Sequence, residues 1–103
     1  MAAPELVWLR KADDDLQQIY ERLEQQAEGR GDAFFNAVDK TLERVALFPE
    51  IGSPFDLPIR RVLVEKGRYG IFYCVEKRGL VILAIEDLRQ DPERIRRNLG
   101  IDP

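Results

Sequence analysis

The chain has 103 residues, the length of one domain, with 45% hydrophobic and 34% charged residues. That composition excludes a disordered chain and allows one thin core. The single cysteine, Cys74, cannot close an internal disulfide, and the chain has no histidine, which excludes His-based triads, His-containing zinc sites and the commonest general base. A net charge of −3 opposes bulk attraction to nucleic acid. No stretch approaches the roughly 20 apolar residues of a membrane helix. The start, Met1-Ala2-Ala3-Pro4-Glu5, lacks the basic opening and apolar run of a signal peptide, so a cytoplasmic protein is expected.

Residues 5–10, rich in apolar and β-favouring side chains, predict a short first strand. The period then changes. Leu16, Ile19, Tyr20, Leu23 and Ala27 fall at helical spacing behind the acidic triplet Asp13, Asp14 and Asp15, which suits the positive end of a helix dipole. Gly29 and Gly31 predict the turn, and Asp32 a cap for a second helix. Phe34, Phe35, Val38, Leu42, Val45 and Phe48 form that helix's apolar stripe, and Pro49 stops it. The short break between the two implies an antiparallel helical hairpin.

Residues 49–58, with Pro49, Gly52, Pro54 and Pro58, read as a loop crossing the domain. Strands over 59–65, 69–76 and 80–86 follow, joined by short turns at Lys66-Gly67 and Lys77-Arg78-Gly79, which predicts an antiparallel meander. Tyr69, Ile71, Tyr73 and Val75 alternate with Gly70, Phe72, Cys74 and Glu76. Both rows carry large apolar groups, so this is a central strand. Asp91, Pro92 and Glu93 form a helix start, Ile95 and Leu99 its apolar side, and Gly100 its end. The predicted fold class is α+β: an N-terminal strand, an antiparallel helical hairpin packed on an antiparallel β-meander, and a short C-terminal helix, as a single domain over 1–103.

The charge is uneven. Residues 1–56 carry 6 Lys/Arg and 12 Asp/Glu, a net of −6, whereas 57–103 carry 10 and 7, a net of +3. The acidic triplet is a poor metal site, because consecutive helical residues diverge by about 100°, and neither a metal nor a cofactor is expected. Cys74, between aromatic neighbours, reads as an inert buried thiol. Arg60, Arg61, Arg68, Tyr69, Tyr73 and Arg89 remain, all from the meander or its exit. Arginine grips phosphate or carboxylate through two parallel bonds, and tyrosine stacks on a base or a protein surface. Such a sheet can bind RNA, stabilise a phosphoryl transition state or hold a protein partner. It can equally be a solvated face with paired charges. Whether Arg60 or Arg61 faces solvent, and where the first strand joins the sheet, both stay open.

Several local motifs run in order along most of the chain. Ala12, Asp15-Leu16 and Ile19-Tyr20 open the first helix, and Phe48-Pro49 with Gly52 leaves the second. Arg61 is followed by Tyr69, Ile71, Tyr73 and Val75, and Ile82-Leu83 runs into Arg89 and Asp91-Pro92. This pattern resembles the RelE/ParE superfamily, the toxins of bacterial type II toxin–antitoxin pairs. The resemblance implies a small toxin neutralised by a cognate antitoxin, with two main targets: RelE-like members cleave ribosome-bound mRNA, and ParE-like members poison DNA gyrase. Gly70 stands where RelE-like nucleases usually carry a basic residue. The tail from Asp91 has neither tyrosine nor histidine, and Glu86 or Asp87 occupies the place of a frequent histidine. The resemblance therefore implies a ParE-like gyrase inhibitor that works by binding, with no sequence-specific nucleic-acid contact. Arg60, Arg61, Arg68, Tyr69 and Arg89 are its candidate target- or antitoxin-binding residues. The alternatives are a RelE-like ribonuclease using Arg61, Arg89 and Tyr69, and a non-toxic module that only binds an antitoxin.

Overall fold

The structure, a computed structural model, describes residues 4–101. Residues 1–3, part of the start read above for a signal peptide, and residues 102–103 of the tail lie outside the described residues. The elements run β1 (Leu6–Trp8), α1 (Arg10–Gln26), α2 (Arg30–Leu47), β2 (Ser53–Asp56), β3 (Ile59–Val64), β4 (Tyr69–Glu76), β5 (Gly79–Asp87) and α3 (Pro92–Asn98). The strands form one sheet in the order β1-β5-β4-β3-β2. The expected α+β architecture is present, with β4 at the centre. β2 to β5 pair antiparallel, and β1 lies on the far edge, parallel to β5, with Leu6 opposite Leu80 and Trp8 opposite Ile82.

Three local expectations need correction. The 49–58 segment is not all loop, since Ser53–Asp56 forms an edge strand against β3. Pro54 is tolerated there because an edge strand can spare an N–H. The second helix begins at Arg30, not after Gly31. Gly29, at φ 87°, precedes it, and Asp32 falls in its first turn without capping it. Gly31 serves close packing: a β-carbon there would lie 2.7 Å from Tyr20 and from Glu24, and its amide donates to Glu24 Oε1 at 2.8 Å. The first helix likewise starts ahead of the acidic triplet, at Arg10, with Asp13 in its opening turn.

Most of the predicted helical stripes bury, although Leu16, Tyr20 and Phe35 are only half-buried and Ala27, the C-cap of α1, is exposed. Ile19 and Leu23 from α1, and Phe34, Val38, Leu42 and Val45 from α2, pack on Val62, Val64, Tyr69, Ile71, Tyr73, Leu80, Ile82 and Ile85 of the sheet. Phe34 meets Tyr69 edge-on at 5.0 Å. Phe48, the last residue of the predicted stripe, is instead 66% exposed, because the helix has already ended at Leu47.

The opposite face is also covered, although the sequence allowed a solvated sheet face bearing the meander's arginines. Phe72, Val81 and Ala84 are fully buried. Phe55 of β2 meets Phe72 edge-on at 4.9 Å, and Arg96 of α3 lies over Phe55 at 6.0 Å while pairing with Asp56 at 3.3 Å. α3 starts as its sequence indicates, with Asp91 Oδ1 accepting from the Glu93 amide at 2.9 Å. Its buried residue is Ile95. Cys74 is buried, and burial pushes its thiol pKa up, as does the bond to Glu76, which keeps it an inert thiol.

Tyr73 fastens the loop that joins the two layers. Its ring is fully buried, its hydroxyl donates to Pro49 O at 2.8 Å and accepts from the Gly52 amide at 2.9 Å. A β-carbon at Gly52 would lie 2.6 Å from that hydroxyl. Replacing Tyr73 with Phe leaves the Gly52 amide unsatisfied and is expected to cost about 1–3 kcal/mol. Phe34→Ala, which opens a cavity under Tyr69, is expected to cost about 3–5 kcal/mol. Urea unfolding monitored by circular dichroism checks both, and Tyr73→Phe as costly as Phe34→Ala would contradict this ranking.

Candidate functional site

The candidate residues do not gather on one face. Arg60 pairs laterally with Tyr73 and Arg61 with Phe72, so the two arginines project to opposite sides. Arg60 is on the helix side, where Nη1 donates to Gly52 O at 3.0 Å, and it helps Tyr73 hold the 49–52 loop. Arg61 is on the α3 side and half-buried. Its stem explains Gly70, since a β-carbon there would lie 3.1 Å from Arg61 Cγ and 3.1 Å from Leu88 Cδ2. A side chain at this position would require Arg61 and Leu88 to give way by a few tenths of an ångström.

Tyr69 belongs to the helix side. Its ring is 1% exposed, and its hydroxyl accepts from Arg22 Nη2 of α1 at 3.1 Å. Arg68 sits in the β3–β4 turn with its guanidinium 5.5 Å from the Tyr69 ring centroid. Its Nε is the one buried side-chain polar atom among the described residues without a hydrogen-bond partner. Arg89, just after β5, is exposed and clamped to Asp87 by Nε–Oδ1 at 3.1 Å and Nη2–Oδ2 at 2.8 Å.

A different set of residues comes together. An open cleft of about 660 Å³ lies between α1 and the exit of β5, lined among others by Lys11, Asp15, Arg22, Glu86, Asp87, Arg89, Arg94 and Asn98. Glu86 is its hub and is 4% exposed. Its Oε2 accepts from Lys11 Nζ at 2.8 Å, and its Oε1 accepts from Gln90 Nε2 and Asn98 Nδ2, each at 2.8 Å. One carboxylate thus ties α1, β5 and α3 together.

Beside it, β1 has ended and leaves the edge of β5 bare. Asp15 takes over, with Oδ2 accepting from the Ile85 amide at 3.0 Å and from Lys11 Nζ at 2.6 Å. Burial works against the Lys11 ammonium, but the bonds and fields of Asp15 and Glu86 outweigh it, and its pKa is raised. Burial likewise raises the Asp15 carboxyl above its usual range, overcoming the Lys11 and Ile85 bonds, with Glu86 pushing the same way. The two shifts are consistent with one ammonium shared by two carboxylates. Each carboxylate holds only part of a counter-charge.

Sequence reasoning missed Lys11, Asp15, Arg22, Glu86 and Arg94 as members of one site. The i, i+4 spacing of Lys11 and Asp15 was a usable signal, as was an apolar strand ending on a carboxylate. The contact across 75 residues between Lys11 and Glu86 leaves no local trace.

Two measurements test this geometry. The Arg89 hydrogen bonds hold the Asp87 carboxyl below its usual range, despite some desolvation. Its contribution to stability is therefore present above about pH 4, the unfolded value, and is lost as pH falls through the lower folded value. NMR titration of Asp87 should show a depressed midpoint that Arg89→Ala returns to the usual range. Glu86→Ala removes three bonds at once and should speed amide exchange in α3 much more than in α2. Unchanged exchange in α3 would remove Glu86 from its linking role.

A family model described as ParE toxin of type II toxin-antitoxin system, parDE, matches residues 6–92. No curated protein matches the sequence. Among solved structures, the chain is similar to one titled "Chromosomal ParDE TA system from P. aeruginosa", with a TM-score of 0.70 and 21% identity over 81% of this chain and 94% of that one. That likeness concerns the fold, and it agrees with the motifs along the sequence. The family match spans every strand and both long helices, and the chain belongs to the ParE toxin family of type II toxin–antitoxin systems.

Proposed function

We propose that the chain is a toxin that inhibits DNA gyrase by binding and is held inactive by a cognate antitoxin in the cytoplasm. Family membership over residues 6–92 supplies the toxin. The observation that favours binding over RNA cleavage is the scattering of the three residues a ribonuclease reading requires. Arg61 lies on the α3 side, Tyr69 is buried on the helix side with its hydroxyl taken by Arg22, and Arg89 is forked onto Asp87. Cleavage of RNA needs an acid and a base within reach of one phosphodiester. Arginine stays protonated and cannot be the base.

Binding requires less convergence, because a surface can use residues from several elements at once. Arg61, Arg89 and Arg68, with Arg60 behind them, remain the candidate contacts for gyrase or for the antitoxin. No helix among the described residues is long and apolar enough to cross a membrane.

The test is co-expression with the neighbouring reading frame, separation of the purified components and assay of each activity. The free chain should block DNA supercoiling by purified gyrase and leave ribosome-bound mRNA intact. The neighbouring gene product should restore supercoiling. Supercoiling untouched by folded protein would overturn the gyrase reading. Codon-positioned mRNA cuts would establish the ribonuclease instead, and a lack of any growth effect would leave an antitoxin-binding module.

A further inference from the structure

The cleft beside Glu86 has an uneven internal balance. Lys11 is shared by Asp15 and Glu86, and Arg89 is matched by Asp87. Arg22 and Arg94 line the same cleft from α1 and α3 and have no carboxylate partner among the described residues. With four cationic and three carboxylate side chains on its walls, the cleft carries a surplus of one positive charge.

Arg22 is already oriented. Its Nη2 donates to the Tyr69 hydroxyl, and that ring is wedged against Phe34. A guanidinium has five N–H donors, so this bond leaves capacity for a ligand. Arg94 is exposed on α3 and makes no side-chain bond among the described residues. The planar donor fork of a single guanidinium favours a carboxylate, which accepts two parallel bonds, over a spherical anion.

We propose that this cleft binds one carboxylate side chain of the antitoxin, with Arg22 and Arg94 as its donors. This rests on the toxin–antitoxin reading of the chain, and the antitoxin is the protein partner that the family's own description pairs with such a toxin. Charge decides between a carboxylate and a nucleic acid. A duplex presents one negative charge per roughly 1.7 Å of axis, whereas the cleft has one surplus charge, three carboxylates of its own and a chain of net −3 around it. A single acidic side chain neutralises the surplus without overfilling it. The Asp87–Arg89 fork is exposed on its arginine side, and it can open to add a third donor.

Isothermal titration of the full chain with the protein encoded by the neighbouring reading frame tests this. Arg94→Glu should weaken the complex by roughly tenfold or more, and Arg22→Gln by less, because one charge is lost without reversal. Lys40→Glu, at an exposed α2 position outside the cleft, should leave affinity within about twofold. Raising salt from about 50 to 300 mM should weaken the wild-type complex more than the Arg94→Glu complex. Unchanged melting temperatures show that the variants fold.

A complex that forms with wild-type affinity in both cleft variants overturns the proposal and leaves the toxin–antitoxin reading intact. Failure of the wild-type chain to form any complex overturns both. A duplex of about 12 base pairs that binds the wild type and loses binding in Arg94→Glu overturns the carboxylate assignment in favour of nucleic acid.

Discussion

β4 is apolar on both sides, and a strand of that kind must be buried on both sides. Tyr69, Ile71 and Tyr73 point one way and Phe72 and Cys74 the other, and all five are buried. The helical hairpin covers only the first row. The second row needs its own cover, which comes from Phe55 of the edge strand β2 and from α3. The placement of the chain's last helix and of β2 thus answers a demand made by the central strand. It also explains why α3 lies beside the exit of β5, where the charged cleft forms.

That cleft exists because β1 is short. Three residues pair with β5, and the remaining edge would leave buried backbone groups without partners, a costly condition. Asp15 satisfies the Ile85 amide from α1, and Lys11 and Glu86 complete the cluster. A polar network of this type stabilises only when every member has its partners. Here one ammonium serves two carboxylates, and Gln90 and Asn98 supply the remaining donors to Glu86. The same residues that seal the sheet edge hold α3 in place, so the stability of the edge and the shape of the cleft are linked.

Much of the arrangement was legible in the residues. The two helical stripes, the hairpin turns of the meander and the Asp91-Pro92-Glu93 helix start rest on local periodicity and capping, and these survive in the folded chain. The boundaries near Gly29, Gly31 and Asp32 were misplaced because Gly31 resembles a turn glycine. Its actual role is contact between α1 and α2, with Tyr20 and Glu24 against it. β2 went unread because Pro54 argues against a strand, and only its edge position makes it acceptable.

The candidate site was less legible for a related reason. Arg60 and Arg61 are adjacent in sequence, and alternation guarantees that they face opposite sides, but which side is the helical one depends on packing. Tyr69 looked available for recognition, yet the helices cover it and turn its hydroxyl toward Arg22. By itself the sequence determined the α+β class, the central position of β4, the lack of a histidine base and the family motifs, all of which follow from residue type and short-range spacing. Only the tertiary structure decided that β1 runs parallel to β5, that both sheet faces are covered, and that Lys11, Asp15, Arg22, Glu86 and Arg94 meet at one cleft. Those outcomes depend on groups far apart in the chain finding burial and counter-charge together, and no local pattern encodes that meeting.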